Sequence, residues 1–206
     1  MLLSLLLAPL LGLDPVTLSG GVVVDEDTVY AMVLGGVAAL DLHTGAPKWT
    51  SSEAAKPYAV VEGHVIALRA DGSLASLDAY TGALVASCDA PPGAVLGPQN
   101  GLGTNHVSHG GVVQGQVVVE WQASTSYAGG VAPTPEMEEA VSSYSQGSFL
   151  VDPKTACPRP TELTPPALET HEEVRSNGAS VDGMRGDEVV WTVPLRRWHY
   201  HGPRPP

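Results

Sequence analysis

Residues 28–45 read TVYAMVLGGVAALDLHTG, and residues 64–82 read HVIALRADGSLASLDAYTG. Each carries a β-branched pair, a turn containing glycine, a short run of apolar and small residues, and then Leu-Asp-x-x-Thr-Gly. Leu40-Asp41 and Thr44-Gly45 fall against Leu77-Asp78 and Thr81-Gly82, a repeat of 37 residues. Such self-similarity signals a repeat architecture, in which each unit buries its apolar face against its neighbour. A third copy, Phe149-Leu150-Val151-Asp152-Pro153-Lys154-Thr155-Ala156, lies twice that distance on, with Ala156 where glycine stands in the others. A fourth start is read at Asp187-Glu188-Val189-Val190-Trp191.

The local chemistry predicts strands. Val, Ile, Tyr and Leu in short alternating runs favour extended backbone. Gly35-Gly36 and Asp71-Gly72 supply the positive φ that a tight hairpin needs. In Asp-x-x-Thr-Gly the carboxylate accepts hydrogen bonds from following backbone N–H groups, and glycine takes the left-handed position. Each unit therefore reads as strand, turn, strand, turn, strand, with three to four strands per repeat. Residues 134–142, TPEMEEAVS, give the one expected helical turn, with Thr134 as cap and Pro135 at the first helical position.

Leu40-Asp41-Leu42-His43-Thr44-Gly45-Ala46-Pro47-Lys48-Trp49 resembles the repeat of pyrroloquinoline-quinone-type β-propellers. The similarity is good over residues 20–90 and patchy over 111–198. The resemblance implies four-stranded blades arranged radially, with Trp49 docked between neighbouring blades. The structural repeat residues are then Asp41, Thr44, Gly45, Trp49, Asp78, Thr81, Gly82, Asp152 and Thr155. The second unit departs from the pattern, with Ala86 at the tryptophan position, and the third lacks both glycine and tryptophan.

The expected fold is all-β, built of propeller-type repeats in an incomplete or open array of about three to four blades. Closed propellers generally have four to eight. Residues 122–147 read as an insertion in the third unit and residues 159–177 as a Pro- and Glu-rich connector. An open array exposes strand edges, a ready template for further pairing. Trp121, Tyr127 and Tyr144 lie in or beside the insertion, where rigid aromatics favour recognition.

Composition bounds the function. The chain has 206 residues, with 22 acidic and 10 basic side chains and a net charge of -12. That balance argues against a nucleic-acid partner, which requires Lys and Arg to displace counterions. Aromatic residues are only 5% of the chain, so the core is expected to rest on Val, Leu and Ala. Residues 2–13, LLSLLLAPLLGL, are too short to span a bilayer. Their length suits a secretory signal within residues 1–15, leaving 16–206 as the partial propeller; a buried first strand or helix is the other reading. Cys88 and Cys157 are the only cysteines. In an exported protein they either pair, closing a loop worth on the order of 4 kcal/mol in the chain-entropy model, or stand as unrelated thiols.

No catalytic, cofactor-binding or metal-binding residue is assigned. The quinone dehydrogenases of the resembled family carry an adjacent cysteine pair, an aspartate base and calcium. This chain has no adjacent cysteines. His106 with His109, in a Gly-rich stretch read as a loop, and His199 with His201, near the C-terminus, lack the spacing of a zinc site. Asp25-Glu26-Asp27 reads as an acidic hairpin turn, too short for a calcium loop. The expected function is a non-catalytic, extracytoplasmic scaffold of bacterial type, periplasmic or secreted. It would bind another protein through loops or strand edges, with no cofactor and no transmembrane span. A fragment of a quinone-dependent dehydrogenase and a truncated frame without independent function are the alternatives.

Overall fold

A computed structural model describes residues 15–18, 21–89, 103–125 and 144–196. The segment 1–14 and the expected helical turn at 134–142 lie outside the described residues. Every regular element described is a strand, and all pair antiparallel in four sheets. The first sheet holds β1 (Val16–Leu18), β2 (Val22–Asp25), β3 (Thr28–Val33), β4 (Gly36–Asp41) and β5 (Pro47–Ser51), in that order. The second holds β6 (Lys56–Val61), β7 (His64–Leu68), β8 (Leu74–Asp78) and β9 (Leu84–Cys88). The third holds β10 (Gly103–Val113), β11 (Gln116–Thr125), β12 (Tyr144–Val151) and β13 (Pro158–Thr161). The fourth has three strands, β14 (Val174–Ser176), β15 (Ser180–Arg185) and β16 (Glu188–Pro194). Each sheet is an up-and-down meander, the topology of a propeller blade.

Side chains alternate between the two faces of a strand, and here both faces are covered. Val22 and Val24 enter a core shared with Val174, Val181 and Leu195 of the fourth blade. Val23, between them, enters a core shared with Val60, Val65 and Leu77 of the second. A third core joins Ile66 and Leu74 of blade two to Val117, Val119 and Phe149 of blade three. Burial on both faces explains why the inner strands read as continuous apolar runs. It also orders the blades in space as four, one, two, three.

The first strands β1, β2, β6 and β10 lie against one another. The last strands β5, β9 and β16 are largely exposed. The array is open: among the described residues no such core joins blade three to blade four. The stretch between them instead crosses the inner strands. Pro166 packs on Gly111, and the Glu169 N–H donates to the Thr17 carbonyl at 3.0 Å.

Two expectations need adjustment. Asp187–Trp191 does not open a fourth unit; the hairpin loop Gly186-Asp187 leads into β16, the outermost strand of a blade that begins at Val174. The Gly-rich stretch around His106 and His109 is not a loop. It lies on β10, which absorbs its irregularity in a bulge between Val107 and His109. In the same sheet, β11 and β12 run as paired strands into both ends of the segment 122–147, from Trp121 opposite Gly147 to Ser124 opposite Tyr144.

Candidate functional site

The Asp-x-x-Thr turns are self-contained. Asp41 Oδ1 accepts the Thr44 hydroxyl at 2.8 Å and the backbone N–H groups of Thr44 at 2.9 Å and His43 at 3.2 Å. Asp78 repeats this with the Thr81 hydroxyl at 2.8 Å and the N–H groups of Thr81 and Tyr80 at 2.8 and 3.0 Å. Asp152 accepts the N–H groups of Lys154 at 2.8 Å and Thr155 at 3.1 Å. The threonine hydroxyls hold the Asp41 and Asp78 carboxyls below the usual carboxylate range, and the backbone N–H of Lys154 chiefly does so for Asp152. Each turn closes with an N–H four positions after its aspartate: Gly45, Gly82 and Ala156 donate to the carbonyls of Asp41, Asp78 and Asp152. In each of the three turns one carboxylate oxygen, Oδ1, is given over to fixing the backbone conformation.

The turns are also docking platforms. The Trp49 indole of blade one lies over Gly82 of blade two, and its Nε1–H donates to the Ala79 carbonyl at 2.9 Å. Trp191 of blade four lies over Gly45 of blade one and donates to the Leu42 carbonyl at 2.8 Å. In each case the acceptor is the residue after the turn aspartate. The glycines are required twice over. Gly82 has φ +72°, and a Cβ there would stand 2.5 Å from Trp49 Cε3; Gly45 has φ +68° and would place one 2.7 Å from Trp191 Cδ2. A small residue opposite each tryptophan, Ala39 for Trp49 and Gly183 for Trp191, leaves room for the ring.

The junction from blade two to blade three has neither a tryptophan docked from the outer strand nor a turn glycine to receive it. Cys88 on β9 and Cys157, just after the third turn, are joined in a disulfide with Cα atoms 4.9 Å apart. Ser76, opposite Ala86, is fully buried and donates its hydroxyl to the Pro153 carbonyl. With that proton committed, the 3.2 Å contact to His64 Nδ1 is a hydrogen bond donated by the imidazole. Ser76, His64 and Asp78 stand close enough to suggest a nucleophile, base and acid. The serine is sealed inside the junction, however, and its proton points at a backbone carbonyl, so the trio is structural.

Other candidates distribute as follows. His109 meets Glu120 Oε2 at 3.1 Å across β10 and β11. The side chain of His106, together with His199 and His201, lies outside the described residues. Among the described residues, no three His, Cys, Asp or Glu side chains converge as a metal site would require. Asp25-Glu26-Asp27 is the β2–β3 hairpin turn, with Glu26 at φ 47°. Trp121 is not free for recognition: it is buried edge-on against Phe149, centroids 6.3 Å apart, in the core between blades two and three. Tyr127 and the Tyr144 side chain lie outside the described residues. Shallow clefts are also present among the described residues. One of about 280 Å³ is lined by Glu62, Asp152, Lys154 and Arg159; one of about 360 Å³ lies between Leu168–Glu172 and β14.

Sequence reasoning missed Trp191, Gly183 and Ser76. Trp191 follows a two-residue hairpin turn and not an Asp-x-x-Thr-Gly turn, so no motif marks it. Its one signal is a lone tryptophan in a β-branched run near the end of a unit.

No known family profile and no curated protein sequence matches the chain. Among solved structures, it is similar to a quinohemoprotein alcohol dehydrogenase from Comamonas testosteroni (19% identity, TM-score 0.42, 70% of this chain and 21% of that one). It is also similar to a europium-containing methanol dehydrogenase (18% identity, TM-score 0.39, 71% and 26%). A third likeness is to BamB from Moraxella catarrhalis (16% identity, TM-score 0.38, 82% and 44%). The match spans less than half the length of each of these chains.

Proposed function

We propose that this chain is a non-catalytic, extracytoplasmic scaffold that binds another protein through the outer edges of its blades. The observation that carries this reading is that four of the seven large apolar side chains exposed among the described residues lie on outermost strands. Leu84 and Val85 lie on β9, and Val189 and Val190 on β16, each between 38% and 49% exposed. Both are the last strands of their sheets. An outermost strand with an unpaired edge and apolar side chains is suited to strand addition, in which backbone hydrogen bonds give affinity and side chains give selectivity. The repeat carboxylates, by contrast, are engaged within their own turns. Among the described residues no helix is long and apolar enough to cross a membrane.

The test is site-specific photocrosslinking in the source cell, with a photoreactive residue replacing Val85 or Val190. A discrete adduct with another protein at either position, lost when Leu84→Glu or Val189→Glu is added, supports the reading. Absence of any adduct from both positions refutes it. Binding of pyrroloquinoline quinone and calcium at one equivalent, with electron transfer from an alcohol to a dye, favours the dehydrogenase alternative instead.

A further inference from the structure

Three junctions join the four blades, and one is built differently. At two of them an indole stacks on a turn glycine and donates to the carbonyl of the residue after the turn aspartate. At the third, each part is replaced. Ala86 stands eight residues after Asp78, as Trp49 does after Asp41. Ala156 takes the glycine position, at φ 60°. The Pro153 carbonyl, equivalent to the two indole acceptors, takes the hydroxyl of Ser76, which reaches it because Ala86 leaves the space empty. Cys88 lies two residues beyond Ala86, on the same face of β9, and its bond to Cys157 supplies the link between outer strand and turn.

We propose that the Cys88–Cys157 disulfide is a redox-released clasp that stands in for tryptophan docking at this one junction. Cys157 is exposed and Cys88 half-buried, so a thiol reagent reaches the bond. A dithiol attacks one sulfur, the S–S bond breaks, and two electrons and two protons pass to the protein sulfurs. The products are two cysteine thiols and the dithiol's own disulfide. The chain has no other cysteine, so reduction touches nothing else. The inner core of Ile66, Leu74, Val117 and Val119 holds the two blades together after reduction. The outer rim, β9 and the turn at Asp152–Cys157, then loses its tie, whereas the two tryptophan junctions keep theirs.

The experiment is amide hydrogen exchange on the full chain, oxidised and after treatment with dithiothreitol. We expect at least tenfold faster exchange in residues 84–89 and 152–158, with residues 37–51 and 181–193 unchanged. A change below threefold in the first two segments, or acceleration spread evenly over all four blades, overturns the proposal. A second variant rebuilds the tryptophan junction without sulfur: Cys88→Ser, Cys157→Ser, Ser76→Ala, Ala86→Trp and Ala156→Gly together. Exchange at the rim within threefold of the oxidised chain, with or without reductant, supports the substitution. A folded variant that exchanges like the reduced chain overturns it.

Discussion

Replacing Gly82 by alanine tests the docking platform directly. Two costs add. The first is conformational, because an L-residue at φ +72° sits in the left-handed region at a cost of roughly 1–2 kcal/mol. The second is steric. The new Cβ would lie 2.5 Å from Trp49 Cε3 and 2.7 Å from Cδ2, against backbone on one side and a ring packed on Tyr30 at 5.9 Å on the other. The indole must move by about an ångström, which breaks its 2.9 Å bond to the Ala79 carbonyl. A lost hydrogen bond of this kind costs about 0.5–1.5 kcal/mol, and the disturbed packing of a tryptophan on a core adds about 1 kcal/mol. The total is roughly 2.5–4.5 kcal/mol, or about 5–18 °C in Tm for a chain of this size. Gly115→Ala is the control, since Gly115 has the same φ of +72° and nothing within 4 Å. It bears the conformational cost alone. Urea denaturation followed by far-ultraviolet circular dichroism gives both values without relying on tryptophan emission. Equal destabilisation by the two variants, within about 0.5 kcal/mol, refutes the idea that the turn glycine is retained to seat the indole.

Further outcomes follow from the same geometry. Trp191→Ala removes the link between blades four and one, and amide exchange is expected to accelerate in residues 174–195 and in the Leu42–Gly45 turn while blade three stays protected. The three lowered carboxyls stabilise the fold above the unfolded aspartate pKa near 4, and that contribution is lost as pH falls through their folded values. Asp78→Asn is therefore expected to flatten the acid limb of a stability–pH profile measured by denaturant titration, and an unchanged slope below pH 4 counts against it. Burial pushes the Tyr30 hydroxyl up to about 12, and burial raises Tyr58 as well. Their contribution is full below the unfolded value of about 10 and is lost as pH rises toward 12. An ultraviolet titration should show two tyrosines ionising only with alkaline unfolding, and Tyr30→Phe should move that transition to higher pH. Ala156→Gly relieves strain of about 1 kcal/mol but deletes a fully buried methyl worth about 0.8 kcal/mol, so its measured stability should stay within about 0.5 kcal/mol of the parent.

What was legible in the sequence was local. Asp41, Thr44 and Gly45 lie within five residues, and their turn forms from hydrogen bonds that any reading of Asx chemistry anticipates. The all-β class follows from the same short-range signals. The partners of those turns are another matter. Nothing near Leu42 announces that its carbonyl receives an indole from residue 191, and Ser76 looks like any small strand residue until Pro153 is seen beside it. The glycines of β10 read as a loop because propensity weighs their backbone entropy. The ladder to β11, extended by a bulge, outweighs that cost once both strands are present. Trp121 reads as available because it borders a long irregular segment, whereas the packing of two blades encloses it.

The tie between Trp191 and Leu42 spans 149 residues. It sets a schedule for the chain as it is made. At roughly 5–20 residues per second, blade one emerges with one face uncovered and waits about 7–30 s for the strand that covers it. Val22, Val24 and Leu40 are open to water, or to a chaperone, throughout that interval. Blades two and three can mature in the meantime, since each packs on what came before. Blade one, made before the other three, is thus among the last to be finished.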